Sequence, residues 1–313
     1  MTNNEKIEEL RTLLFSTLLP LIDNNYILLD IPYYSNPGDT LIWEGTEQLL
    51  KNCPHKCLIK TAEECFDFPR LKKQTVILLQ GGGNWGDLWS RHQEFRMRVI
   101  ENYKDNKIIV LPQSIHYENL NNWDTDVLKL KQHDNLHICV RDIPSFELLK
   151  SANLKYTYLL PDMAFCIQQN SLLKFVEPCC GKKLLVMRHD SESPKYDKLK
   201  IDINNPMLDV CDWPTMESYD HVQLYFYRIY NRRKYGLHVL TDFYADKILR
   251  THIVKTAVKF ISKYEYIYTT RLHVAILSVL LNKSFTLIDN SYGKNFNLYK
   301  TWLTDLNTIR LQS

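Results

Sequence analysis

The chain has 313 residues, 45% of them hydrophobic, which is enough to bury a sizeable core and, at roughly 100–200 residues per domain, points to two domains. With 39 basic and 36 acidic residues the formal net charge is only +3, a mixed surface that excludes a nucleic-acid-binding role as the main function. Eight cysteines without a paired C-x-x-C element, most of them in apolar runs, read as small buried side chains and exclude a zinc module or a disulfide scaffold.

The N-terminal MTNNEKIEELRTLLFSTLLPLIDNNY has acidic flanks and an apolar stretch broken by Ser, Thr and Pro. It predicts a helix over 4–22 and matches neither a signal peptide nor a membrane span, so the expectation is a cytoplasmic protein. Strands follow at 26–31, 57–60, 76–80, 107–112, 136–142 and 156–162. Helical patterns at 40–51, 90–104, 124–132 and 143–152 fall between them. Near-continuous apolar strands alternating with helices indicate a parallel sheet covered on both faces.

Periodicity lapses in QQNSLLKFVEPCCGKK (168–183), which marks the boundary between an N-terminal unit, 1–175, and a C-terminal unit, 176–313. The second unit starts with strand KLLVMRHD (183–190) and continues with DVCDW (209–213) and long helical patterns over 215–235 and 241–262. It ends with strand 264–269, helix 271–282 and strand 284–289. Two doubly wound α/β units facing across a cleft are expected, with ligands beyond the carboxyl ends of the strands.

Polar motifs sit at those strand ends. In QGGGNWGD, Gly81, Gly82, Gly83 and Gly86 follow a strand and allow close backbone approach to a ligand, with Asn84, Trp85 and Asp87 adding polar and stacking contacts; a tight turn is the alternative. YYSNPGDT opens a helix that Asn36 or Asp39 can cap, and LPQSIHYEN ends a strand with Gln113, Ser114 and His116. Arg141, Arg188 and Arg271 recur at strand ends, where a buried guanidinium needs a counter-charge. Asp142, Asp162 and Asp190 offer internal partners; taken together, the three arginines also suit an anion with several oxygens. His273, two positions beyond Arg271, pairs an acid–base group with that anion clamp.

In this order and at these distances NPGD, GGGN, LPQS, VRD, LPD and TTRLH resemble the polysaccharide pyruvyl transferase family, from about Tyr34 to Asn295, with NSYGKN closing the pattern. The resemblance implies two Rossmann-like domains in a glycosyltransferase-B-like arrangement. It implies transfer of the enolpyruvyl group of phosphoenolpyruvate onto two hydroxyls of one sugar in an exopolysaccharide or capsule precursor, with release of phosphate. Arg271, Leu272 and His273 match the family's donor-binding element. Arg188, with Arg141 as rival, is the candidate for its second arginine. His273 is the candidate acid, and Asp39, Asp162 and His116 are the candidate bases. The sugar is expected on the N-terminal unit, against Asn36, Asp39, Gly82, Gly83, Asn84, Trp85 and His116, with Trp85 or Trp89 stacking on it, and phosphoenolpyruvate on the C-terminal unit. No metal or other cofactor is expected. If the acceptor is lipid-linked, the aromatic and basic stretch QLYFYRIYNRRKYG (223–236) would rest on the inner face of the plasma membrane; the alternative is an amphipathic helix with its aromatics turned inward. A nucleotide-sugar glycosyltransferase and a non-catalytic sugar- or phosphate-binding protein are the competing readings.

Overall fold

Short runs rich in Val, Ile and Leu form the strands, and those at the sheet centres are buried on both faces, as strands covered by helices must be. The computed structural model describes residues 1–188, 193 and 201–312. The chain makes two units: residues 11–33 and 45–166 form one, and residues 1–10, 34–44 and 167–313 form the other. The segment Tyr34–Glu44, which holds the NPGD motif, therefore packs with the C-terminal residues and not with the strands that flank it in sequence.

The N-terminal unit carries β1 (Tyr26–Leu29), β2 (Cys57–Lys60), β3 (Val76–Leu79), β4 (Gly82–Trp85), β5 (Ile108–Ile115), β6 (Leu136–Val140) and β7 (Tyr156–Leu159). They form one sheet in the order β2-β1-β3-β5-β6-β7, with β4 paired beside β5 and every pairing parallel. Its core gathers Ile27, Leu29, Ile77, Leu79, Val110 and Ile138 of the sheet with Phe95, Val99 and Ile100 of the helix Ser90–Asn102.

The C-terminal unit carries β8 (Lys183–Val186), β9 (Leu208–Cys211), β10 (Tyr266–Thr269), β11 (Phe285–Ile288) and β12 (Ile309–Gln312), all parallel, in the order β12-β11-β10-β8-β9. Strand addition reverses direction once in each sheet, between β1 and β3 and between β8 and β10, and such a switch point opens a crevice beyond the strand carboxyl ends.

Several expectations change. QGGGNWGD is a fourth strand with its flanks and not an open loop: a Cβ on Gly81 would lie 2.7 Å from the Pro112 carbonyl oxygen, and one on Gly86 would strike that of His116. The glycines are there because this backbone lies against β5. The helical patterns over 215–235 and 241–262 break into Pro214–Glu217, His221–Tyr230, His238–Tyr244, a π-helical turn Ala245–Leu249 and Arg250–Ser262, with Gly236 in the left-handed conformation (φ 87°) between two of them. β8 ends at Val186, four residues short of the expected strand; His189 and Asp190, the latter a candidate counter-charge, lie outside the described residues. Of the cysteines, only Cys139 and Cys166 are buried, while Cys57, Cys179 and Cys180 are exposed. Among the described residues no helix is long and apolar enough to cross a membrane.

Candidate active site

The switch point of the C-terminal sheet collects Arg188 after β8, Asp212 after β9 and Arg271 after β10, the carboxyl ends of three adjacent strands. All three side chains are buried. Arg271 grips Asp212 in two-pronged fashion, Nε donating to Oδ1 at 2.6 Å and Nη2 to Oδ2. This fixes the guanidinium's orientation and supplies the counter-charge a buried arginine requires. Asp212 is held in turn: its backbone N–H donates to Glu217 Oε1 at 2.7 Å, and its Oδ1 accepts the Trp213 N–H at 2.8 Å. Arg188 is tied to the same strand end, its N–H donating to Thr270 Oγ1 at 3.1 Å.

Arg271 is the N-cap of the helix Leu272–Leu280 and its side chain makes no cap, so the helix presents its positive end at the crevice. Every residue of that helix is buried except His273, which is half-buried. An apolar helix clamped on all sides gives the imidazole a rigid base.

The NPGD segment reaches His273 within the same unit. Asn36 caps the helix Pro37–Leu50, its Oδ1 accepting the Gly38 N–H at 2.9 Å, and Pro37 starts the helix without needing a donor. Asp39 Oδ2 accepts from Asn36 Nδ2 at 2.8 Å and from the Tyr34 hydroxyl at 3.0 Å. Gly38 is required by contact: a Cβ there would lie 2.6 Å from His273 Nδ1. The loop is anchored by Thr215, whose hydroxyl donates to the Ser35 carbonyl at 2.8 Å, and by Tyr227, whose hydroxyl meets Ser35 Oγ at 3.1 Å. Arg188, Arg271, Leu272, His273, Asn36 and Asp39 thus belong to one unit. Sequence reasoning missed Asp212 and Gly38; the signal for Asp212 was its place at the end of DVCDW, the strand next to the one that precedes Arg188.

The remaining candidates lie in the N-terminal unit. Arg141 is fully buried, paired with Asp162 and donating from Nε to Ser114 Oγ at 2.9 Å, while Ser114 donates to Asp142 Oδ2 at 2.6 Å. This is a fully buried ion pair, and Asp162, shielded from solvent and bound to Arg141, is poorly placed to act as a base. Trp85 is also buried and unavailable for stacking, with the Arg96 guanidinium 4.9 Å from its ring centre, and Asn84 Oδ1 accepts from Arg96 Nη2 at 2.8 Å. Gly82 lies in β4 at φ 150°, Gly83 and Trp89 are partly exposed, and His116 is half-buried with its N–H on the Trp85 carbonyl at 2.9 Å.

One cluster was not foreseen. At the switch point of the N-terminal sheet, Asp30 Oδ1 lies 2.9 Å and Glu63 Oε2 3.7 Å from His92 Nδ1, a donor set of the kind that holds a cation. Positive charge is already present, because Arg91 pairs with Glu63 and Arg96 lies 3.7 Å from Asp30. Burial lowers the His92 pKa, but the bond to Asp30 and the two carboxylate charges outweigh it and the net shift is upward; burial likewise raises Glu63. The imidazole and the two arginines give the two carboxylates internal positive partners, and the same three donors, Asp30, Glu63 and His92, are close enough to share a cation.

Comparison with known proteins assigns the chain to a family. The family profile described as polysaccharide pyruvyl transferase matches residues 36–292. The chain is 34% identical over 305 residues to the Bacillus subtilis protein EpsO, whose name assigns it to the pyruvyl transferases, covering 95% of this chain and 91% of that one. It is 23% identical over 301 residues to pyruvyl transferase 1 of Schizosaccharomyces pombe, covering 88% of this chain and 69% of that protein. A crystal structure of a functionally uncharacterised Klebsiella pneumoniae protein superposes with a TM-score of 0.69 at 21% identity over 97% of this chain and 98% of that one, which establishes the likeness of fold. The profile match reaches from the NPGD segment, past Arg271 and His273, to Tyr292. This chain belongs to the polysaccharide pyruvyl transferase family.

Proposed function

We propose that the protein transfers pyruvate from phosphoenolpyruvate onto two hydroxyls of one sugar in a surface-polysaccharide precursor, forming a cyclic ketal and releasing phosphate. The observation that carries this reading is that Arg188, Arg271 and His273 all follow the carboxyl ends of two adjacent strands, β8 and β10, at one switch point. Two guanidinium groups match a donor that bears both a carboxylate and a phosphate, and the uncapped helix end at Leu272 favours the same negative charge.

In the proposed sequence His273 gives a proton to the methylene carbon of phosphoenolpyruvate, producing the methyl group and positive character at C2. The first sugar hydroxyl adds to C2 and its proton passes to a base, for which Asp39, linked through Asn36 and Gly38 to the His273 position, is favoured over His116. The second hydroxyl then attacks C2, the bond from C2 to the phosphate oxygen breaks, and the second hydroxyl proton leaves with phosphate. One donor and one diol give one ketal and one phosphate. Fixed guanidinium charge stabilises the departing phosphate, so the scheme asks for no metal.

The test incubates enzyme, phosphoenolpyruvate and candidate glycans, with mass spectrometry of the glycan and assay of released phosphate. The reading predicts stoichiometric phosphate and a glycan that gains pyruvic acid less water. Tight binding of UDP or GDP without any binding of phosphoenolpyruvate would replace it with a glycosyltransferase. Donor binding without turnover on any acceptor would replace it with a binding protein.

A further inference from the structure

The C-terminal unit has a second surface that the chemistry above does not use. The helix His221–Tyr230 turns Gln223, Phe226 and Ile229 into the core and leaves Leu224 (47% exposed), Tyr225 (54%) and Arg228 on its outer side. After a 3-10 turn, Arg233–Tyr235, the helix His238–Tyr244 repeats the pattern. Thr241 and Tyr244 are buried, while Val239 (68% exposed), Leu240 (47%) and Phe243 (58%) face solvent. The spacings 224, 225, 228 and 239, 240, 243 are each i, i+1, i+4, one face of a helix. Tyr244 joins the two helices, its ring centre 5.4 Å from that of Tyr225 and 6.1 Å from that of Phe226. Tyr235, 75% exposed, adds a further aromatic in the connecting turn.

So many large apolar side chains on one helix pair exceed the scattered exposures of an ordinary soluble surface and mark an interaction site. Its charges say what covers it. Arg228 and Arg232 are exposed and have no acidic partner among the described residues. The acidic groups of the segment are turned to other work: Asp220 caps the first helix and bonds to His252, and Asp246 pairs with Arg250 and Lys247. Asp242 is half-buried. A two-fold interface between copies of the chain would set like-charged arginines into an apolar contact, where charged residues are normally depleted. An anionic bilayer takes both components, with Leu, Val and Phe entering the acyl boundary, Tyr at the headgroup level and Arg on the lipid phosphates.

We infer that the paired outer faces of His221–Tyr230 and His238–Tyr244 form a peripheral docking surface for an anionic membrane. The two helices would lie in the plane of the interface. Of the expected aromatic and basic stretch, Tyr225, Arg228, Arg232 and Tyr235 face solvent and contribute to this surface, whereas Phe226 is buried and Tyr227 and Tyr230 are half-buried, so most of its aromatics turn inward; the second helix supplies the rest.

Vesicle flotation of the full chain tests this independently of catalysis. Phosphatidylcholine vesicles containing phosphatidylglycerol are expected to carry the protein upward, and pure phosphatidylcholine vesicles to leave it behind. Arg228→Glu with Arg232→Glu should weaken partitioning by about tenfold or more, since each basic residue near an anionic surface contributes severalfold. Val239→Asp with Phe243→Asp should abolish it with an unchanged circular dichroism spectrum, and in both variants phosphate release with a soluble glycan acceptor should match wild type. Absence of flotation with anionic vesicles, or flotation that both double variants retain, would overturn the inference. So would a concentration-dependent dimer, seen by light scattering, that Val239→Asp with Phe243→Asp dissociates while wild type ignores vesicles; the surface would then be an interface between copies.

Discussion

Arg271 and Asp212 face each other at the ends of β10 and β9, joined by two parallel hydrogen bonds and both buried. Removing the carboxylate strands a buried guanidinium, so Asp212→Ala is expected to lower stability by about 3–5 kcal/mol in urea unfolding. Arg271→Lys keeps the charge and loses the planar fork. It should reduce kcat/KM for phosphoenolpyruvate roughly a hundredfold or more, with a smaller loss of Tm than Asp212→Ala. A lysine variant with wild-type kcat/KM would remove Arg271 from the donor site.

The approach of Gly38 to His273 makes a second, sharper test. A methyl group at position 38 sits 2.6 Å from Nδ1 as the ring now stands, so Gly38→Ala must rotate the imidazole. The expected result is a fall in kcat on the order of ten- to a hundredfold from misplacement of the acid. His273→Ala should depress kcat more than it raises KM, because a proton donor acts in the transition state and not in binding. Equal effects on KM alone in both variants would make His273 a binding residue only.

Arg141 is expected to behave as structure. Arg141→Ala and Asp162→Ala should each cost about 3–5 kcal/mol, and the double variant clearly less than the sum, because each single change leaves one buried charge unpaired. KM for phosphoenolpyruvate, measured below the unfolding transition of Arg141→Ala, should stay within about twofold of wild type. A large rise in KM would restore Arg141 to the donor site.

His137 gives the pH dependence a sign. Burial first, then the charge of Lys107, pushes its pKa down to about 4 from 6.5, so the folded chain holds it neutral, bonded to Tyr158 and Asn135 at 3.0 Å each. Between about pH 6.5 and 4 the unfolded chain binds the proton and the folded chain does not; stability therefore falls as pH drops through that window, by at most about 1.4 kcal/mol per pH unit. Urea midpoints at pH 7.5, 6 and 5 should trace this loss, and His137→Gln should flatten it. A slope unchanged by the substitution would assign the pH dependence to other groups.

The alternation of apolar strands and helices was legible in the chain because local period and burial leave their mark on consecutive residues: β2 spans the expected 57–60, and β3 and β11 fall within one residue of expectation at each end. β4 was not legible, since Gly82, Gly83 and Asn84 have low strand propensity and are extended only because β5 lies beside them. β12 and the helix Lys294–Trp302 escaped for a related reason, as their apolar positions are few and are set by the neighbours they pack on.

For the candidate site, the sequence by itself determined which side chains are present: Arg188 and Arg271 just beyond strands, His273 and Asp39 in the first turns of the helices that follow, and Asn36 at a helix start. It did not determine their partners. Asp162 took Arg141, Asp212 took Arg271, and the core took Trp85, because each outcome depends on strand order and on which buried charge finds its counter-charge first in space. Only the tertiary structure joined Gly38 to His273 across more than two hundred residues of chain. A pattern of residues specifies local conformation and burial, whereas long-range pairing follows from the parallel sheet that brings distant strand ends to one edge.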